Sequence, residues 1–181
     1  MDEEAKTLQG QLESFYSAVE EAKSFDPELA QNFLEAFEEF EITIDGYMKP
    51  EQYVDFMVLY FVTDNWHNPA KFLWKRIPTA MKKDKMLVSV WDIGKLLFQS
   101  KYLEAAKKIS SFKLGKLSEF LAAGYRYHMH RLIEQAYANI DDKTYRALMG
   151  FTSAKQQKEY QTHFDEELRH KGKYHNMANQ L

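Results

Sequence analysis

The segment that opens at Pro50, PEQYVDFMVLYF, constrains the fold more than any other stretch, because a helix through it has almost no polar side. Tyr53, Phe56, Met57, Tyr60 and Phe61 follow helical spacing while Val54, Val58 and Leu59 fill the other sides. Pro50-Glu51 suits a first helical turn. Crossing a bilayer takes about 18 or more consecutive apolar residues, and no run in the chain approaches that length. The alternative that buries such a helix is a bundle with this element at its middle.

The flanking sequence supplies helices to surround it. Leu8, Leu12, Phe15, Tyr16 and Val19 make one apolar face, and Asp26-Pro27-Glu28 restarts the chain as an N-cap followed by proline. Leu29, Phe33, Ala36, Phe37 and Phe40 form a second face, ended by EITIDGYMK with its Asp45-Gly46 turn. Beyond the central segment, NPAKFLWKRIP reads as a complete short helix. Asn68 is its cap, Pro69 lies in its first turn, Ala70, Leu73, Trp74 and Ile77 fall at i, i+3, i+4 and i+7, and Pro78 stops it. Leu87, Val90, Trp91, Gly94, Leu97 and Phe98 repeat the stripe, with Gly94 placed for close approach of a neighbour. Lys101 to Ser110 gives another short helix. Paired helices of this kind predict αα-hairpins resembling tetratricopeptide or HEAT repeats, although no strict 34-residue period is present.

Ser110-Ser111 and Gly115 precede the longest predicted helix, Lys116 to Ile140, with Leu117, Phe120, Leu121, Gly124, His128, Leu132, Ala136, Tyr137 and Ile140 on one face. Asp141 or Asp142 then caps a helix through Leu148, Gly150 suits a left-handed stop, and Ser153 with Gln156 has capping-box spacing. A long helix followed by helix, tight turn and helix has the ingredients of a winged-helix lobe. The β-wing is the weak element: residues 165–181 offer no alternating β-branched run, and a frayed helical extension is the alternative. The expected class is mainly α in three segments: acidic N-terminal helices (1–48), helical-hairpin repeats (49–115), and a bridging helix with a winged-helix-like lobe and tail (116–181).

Charge divides the chain in the same place. Residues 1–45 carry −11 and the remainder +8, which leaves the net −3. Either two solvated faces or docking between oppositely charged neighbours fits this division. The acidic, amphipathic start is unlike a secretory leader, so no secretion is expected. With no cysteine there is neither a disulfide nor a thiolate metal site.

A search for chemistry returns little. His128 and His130 lie two apart on a helix and cannot share a metal, whereas His163, Glu167 and His170 at i, i+4, i+7 form a ligand face without the HExxH general base. No glycine-rich phosphate loop and no nucleophile elbow is visible, and the carboxylates of FLEAFEEFE read as the wet side of an amphipathic helix. The expectation is no enzyme, no cofactor, no metal, no small-molecule substrate and no membrane partner. Nucleic acid is a rival partner, through Lys155, Gln156, Lys158, Arg169, Lys171 and Lys173 on a recognition helix. Glu159, Asp165, Glu166 and Glu167 interrupt that stretch and the pI is near 6.1, so nucleic acid is disfavoured.

NPAKFLWKRIP, the helix carrying Trp91, and RLIEQAYANIDDKTYRALMGF together resemble the subunit-eight family of the COP9 signalosome, over about Tyr53 to Phe151. That group shares the PCI domain, helical hairpins leading into a winged helix, with subunits of the proteasome lid and translation initiation factor three. The resemblance implies a non-catalytic scaffold of the cytoplasm and nucleus, joined to other PCI subunits through its lobe and a shared helical bundle. Its complex removes the ubiquitin-like modifier NEDD8 from cullins by means of a different, metal-binding subunit. A sister scaffold of the proteasome lid or of the k-subunit type in the initiation factor is the alternative. Under either reading Trp74 and Trp91 should anchor the hairpin stack with Phe56, Phe61, Leu73, Ile77 and Leu97 around them, and Trp74→Ala should cost about 3–5 kcal/mol. Lys75 and Arg76 are expected to face solvent or a partner. Tyr145, Phe151, Tyr160 and Phe164 are candidate contact residues on a lobe too small to bury them all, and each equally reads as completing its core.

Overall fold

Ten successive residues, Tyr53 to Val62, are buried, so the most apolar segment lies at the centre of the molecule as its lack of a polar side requires. The structure is a computed structural model and describes residues 3–21, 25–63 and 68–162. Among them the elements are α1 (Glu3–Glu21), α2 (Pro27–Thr43), α3 (Pro50–Val62), α4 (Asn68–Arg76), a single 3-10 turn (Met81–Lys83), α5 (Lys85–Phe98), α6 (Tyr102–Ser111), α7 (Lys116–Ala136) and α8 (Asp142–Met149). A further helix, α9, occupies 154–162. No strand occurs among the described residues. The expected wing, residues 165–181, lies outside them.

Around α3 are packed α2, α4, α5 and α7; α1 lies on α2 and α7, while α6 joins α5 to α7 and α8. One cluster of buried side chains runs from Phe15 to Phe151. The helix starts follow local chemistry. The Asp26 carboxylate accepts from the Glu28 and Leu29 N–H groups, Asp84 from Leu87, and Asp141 from Lys143 and Thr144. Gln52 accepts from the Lys49 N–H at the start of α3. Gly150 ends α8 with a φ of 68°. Before α9, the Ser153 hydroxyl accepts from the Gln156 N–H, and the Gln156 side chain reaches back to the Thr152 N–H.

α7 departs from the expected helix in two ways. It stops at Ala136, because Asp141 caps α8 from a non-helical backbone and the chain needs a link before it; Ile140 sits half-buried in that link. Its buried face also changes side. Leu117, Phe120, Leu121 and Gly124 are buried as expected, but burial then passes to Tyr125, Met129 and Ile133 while Leu132, Ala136 and Tyr137 are exposed. The reason is the end of a neighbour. α3 finishes at Val62, whose carbonyl lies 2.5 Å from His128 Nε2, and beyond that point α8 covers the adjacent side of α7.

Candidate interaction site

α4 follows its expected stripe, with Ala70, Leu73 and Ile77 buried, and α5 buries Leu87, Val90, Gly94 and Leu97 together with Ile93. The indoles differ from the expectation. Trp74 and Trp91 are half-buried and stack on each other with centroids 4.7 Å apart and planes 4° from parallel. Phe98 lies beside Trp91 at 5.3 Å. Phe56, Phe61, Leu73, Ile77 and Leu97 belong to the buried core against which both indoles pack: Phe56 meets Phe37 and Tyr60, and Phe61 lies under Gly94. The indoles therefore pack on the core from its edge and keep part of their surface in solvent.

Arg76 and Lys75 part company. Arg76 reaches α2, where its Nη2 and Nε donate to the two Glu41 oxygens at 2.6 and 3.3 Å, and that bond holds the guanidinium above its ordinary pKa. Lys75 is exposed and its ammonium lies 5.4 Å from the Phe72 ring centroid. Beside Arg76 a cavity of about 540 Å3 is lined by Glu38, Tyr53 and Tyr60, with Ile42 and Tyr47 exposed at its edge. Tyr60 donates to Glu38 at 2.8 Å.

In the C-terminal lobe, Tyr145 and Phe151 are inside, not on the surface. They are 7% and 9% exposed because α7 supplies His130 and Arg126 to cover them. His130 Nδ1 is 3.0 Å from the Tyr145 hydroxyl, and the Arg126 guanidinium lies 5.2 Å from the Phe151 ring while its Nε donates to the Met149 carbonyl. Burial, with Glu134 nearby, pushes the Tyr145 phenol up to about 12; burial lowers Arg126. Tyr160 is half-buried against Phe151, and Phe164 lies outside the described residues. His163, Glu167, His170, Arg169, Lys171 and Lys173 lie outside them too. Lys155 sits 3.7 Å from Glu159, and Gln156 is occupied in capping. Among the described residues no group of three His, Asp or Glu is arranged to hold a metal.

A feature the sequence reading passed over lies on the far side of α3. Asp55 is 4% exposed and accepts a hydrogen bond from the Tyr16 hydroxyl of α1. Burial pushes the carboxyl up to about 7; the Tyr16 bond opposes this and Glu51 adds to it. Burial and the same carboxylate raise Tyr16 as well. A cavity of about 520 Å3 between Phe15, Val54, Met86 and Leu117 opens beside the pair. One acid inside the otherwise apolar run Tyr53 to Val62 was the available signal.

Comparison with known proteins accounts for this arrangement as a family. A sequence model described as the CSN8/PSMD8/EIF3K family matches residues 47–165, from the start of α3 past α9. A protein of Danio rerio named COP9 signalosome complex subunit 8 is 28% identical over 131 residues, covering 69% of this chain and 68% of the relative. The Xenopus laevis protein of that name is 27% identical over 126 residues, covering 66% and 64%. An Arabidopsis thaliana protein of the same name is 32% identical over 98 residues, 51% of this chain and 49% of its own. The matches thus span about half to two thirds of those relatives' length. The chain belongs to the CSN8/PSMD8/EIF3K family.

Proposed function

We propose that this chain is a non-catalytic scaffold subunit of a COP9 signalosome in the cytoplasm and nucleus. It supports the complex that removes NEDD8 from cullins by gripping neighbouring PCI-type subunits. The observation that carries the reading is the family match over residues 47–165, together with fish, frog and plant relatives that share one subunit name. The helix order supports the finer assignment. α8, the left-handed turn at Gly150 and α9, laid on α7, make the helix-turn-helix part of a winged-helix-like lobe, and α3 to α6 make the hairpin portion that precedes it. Residues 1–48, 49–115 and 116–181 are the corresponding functional segments.

The test is recovery of the tagged chain from its own cells. Co-purification with cullin-deneddylating activity is the expected result. The family description also covers lid and initiation-factor subunits, so recovery with proteasomal or ribosomal particles places the chain in a sister assembly, and recovery free of any large assembly refutes the scaffold reading altogether.

A further inference from the structure

We propose that the outer face of α4 and α5 is a docking surface for an acidic, amphipathic segment of a partner protein, an inference that does not depend on which assembly the chain enters. The face is built around three half-buried rings in a row, Trp74 on Trp91 and Trp91 beside Phe98. An ammonium sits at each end of the row: Lys82 is 5.4 Å from the Trp74 centroid and Lys71 is 4.7 Å from that of Phe98. Next to it Phe72, 55% exposed, carries Lys75.

Charge selects the occupant. Residues 68–85 hold six bases against one acid, in a chain whose net charge is −3. That acid, Asp84, is committed to capping α5, and Arg76 is committed to Glu41. Among the described residues no carboxylate forms a salt bridge with Lys71, Lys75, Lys82, Lys83 or Lys85. Lys71 and Lys75 rest on ring faces, and Lys82 on the Trp74 ring and a long 3.4 Å hydrogen bond to the Lys75 carbonyl, contacts that hold a cation weakly enough at an exposed site to release it to a carboxylate.

A protein segment fits better than a nucleic acid. Bases need open ring faces to stack on, and here Trp74 is covered by Trp91 and Lys82, Phe98 by Lys71, and Phe72 by Lys75. The largest exposed apolar surface here is that of Phe72, which suits Leu or Phe side chains between carboxylates. A long polyanion would also meet the acidic N-terminal helices, whereas a short segment need not.

The experiment uses the full chain and a short fluorescein-labelled peptide of Glu interspersed with Leu and Phe. Anisotropy should report saturable binding that weakens as salt rises, with the indole N–H NMR signals of Trp74 and Trp91 shifting. K71E/K75E/K82E should weaken binding about tenfold or more, K71Q/K75Q/K82Q should weaken it less, and K155E/K158E should leave it unchanged. Thermal melts of each variant verify folding. Three results overturn the proposal: no saturable binding or equal binding by a folded triple variant; oligothymidine binding more tightly than the peptide at this face; or self-association lost in the triple variant, which would make a second copy the occupant.

Discussion

The Tyr16 hydroxyl donates its hydrogen bond to the Asp55 carboxylate, so a polar link from α1 to the middle of α3 ends on the one acid in the buried run Tyr53 to Val62. The pair lets an amphipathic helix lie over a core helix that has no polar side of its own. It also leaves an ionisable group in a place water scarcely reaches.

Stability should therefore depend on pH through Asp55. Its carboxyl is pushed up to about 7 in the fold from an ordinary value of 3.8, chiefly by burial. Between those values the folded chain holds a proton that the unfolded chain has released, so this group's contribution falls as pH rises from about 4 to 7 and stays low above it. The full swing is up to roughly 4 kcal/mol. Asp55→Asn keeps an acceptor for Tyr16 and removes the titration. The variant should gain on the parent by about 1–3 kcal/mol between pH 5 and pH 8 in urea unfolding. A constant difference across that range refutes the assignment.

Gly124→Ala should destabilise by about 1–3 kcal/mol despite the better helix propensity of alanine. A Cβ there would stand 2.5 Å from both Cβ and Cγ1 of Val62 and 3.0 Å from the Phe25 ring, and the Val62 atoms are fixed to the α3 backbone. Val62→Ala in the same chain should recover part of the loss, a coupling that a double-mutant cycle measures. Purely additive effects would mean that α7 and α3 do not approach each other as closely as described.

What was legible in the sequence was what local chemistry decides. Asp26, Asp141, Gly150 and Ser153 act at the helix ends where their side chains or backbone freedom place them, and the run from Tyr53 had no fold open to it except the centre of a bundle. Illegible were choices made by distant neighbours. Leu132 and Met129 are equally apolar and one is exposed, because α3 ends at Val62 and α8 covers the other side. Tyr145 and Phe151 looked like surplus aromatics until His130 and Arg126 covered them. Trp74 and Trp91 had the right spacing for burial, but spacing does not state how much room lies between two helices.

Ser100→Gly should raise stability by about 0.5–1 kcal/mol. Ser100 holds a φ of 55° just past α5, the left-handed region that ordinarily favours glycine. Its N–H bonds to the Leu97 carbonyl and that of Lys101 to the Leu96 carbonyl, the pattern that closes a helix end. The side chain is exposed, so its removal costs no packing. An unchanged or lower melting midpoint would contradict a left-handed residue at this position.

Tyr125→Phe should loosen α8 before it loosens the core. The Tyr125 hydroxyl, on a residue 3% exposed, lies 2.9 Å from the Leu148 carbonyl and 3.0 Å from that of Tyr102, and donates to this pair. The Leu148 carbonyl belongs to the last turn of an eight-residue helix, where intrahelical donors have run out. A helix so short is marginal in water and keeps its shape only through its neighbours. Losing the hydroxyl leaves the Leu148 carbonyl without its donor, since the Tyr102 carbonyl still lies within the ladder of α6, at a cost of about 1–3 kcal/mol. The loss should appear first as faster amide exchange in α8, by roughly tenfold or more, while the amides of Tyr53 to Val62 exchange only with the smaller change in overall stability. Equal acceleration in α8 and α3 would show that Tyr125 supports the whole core and not this joint, and no acceleration in either would remove it from the account of how α8 is held.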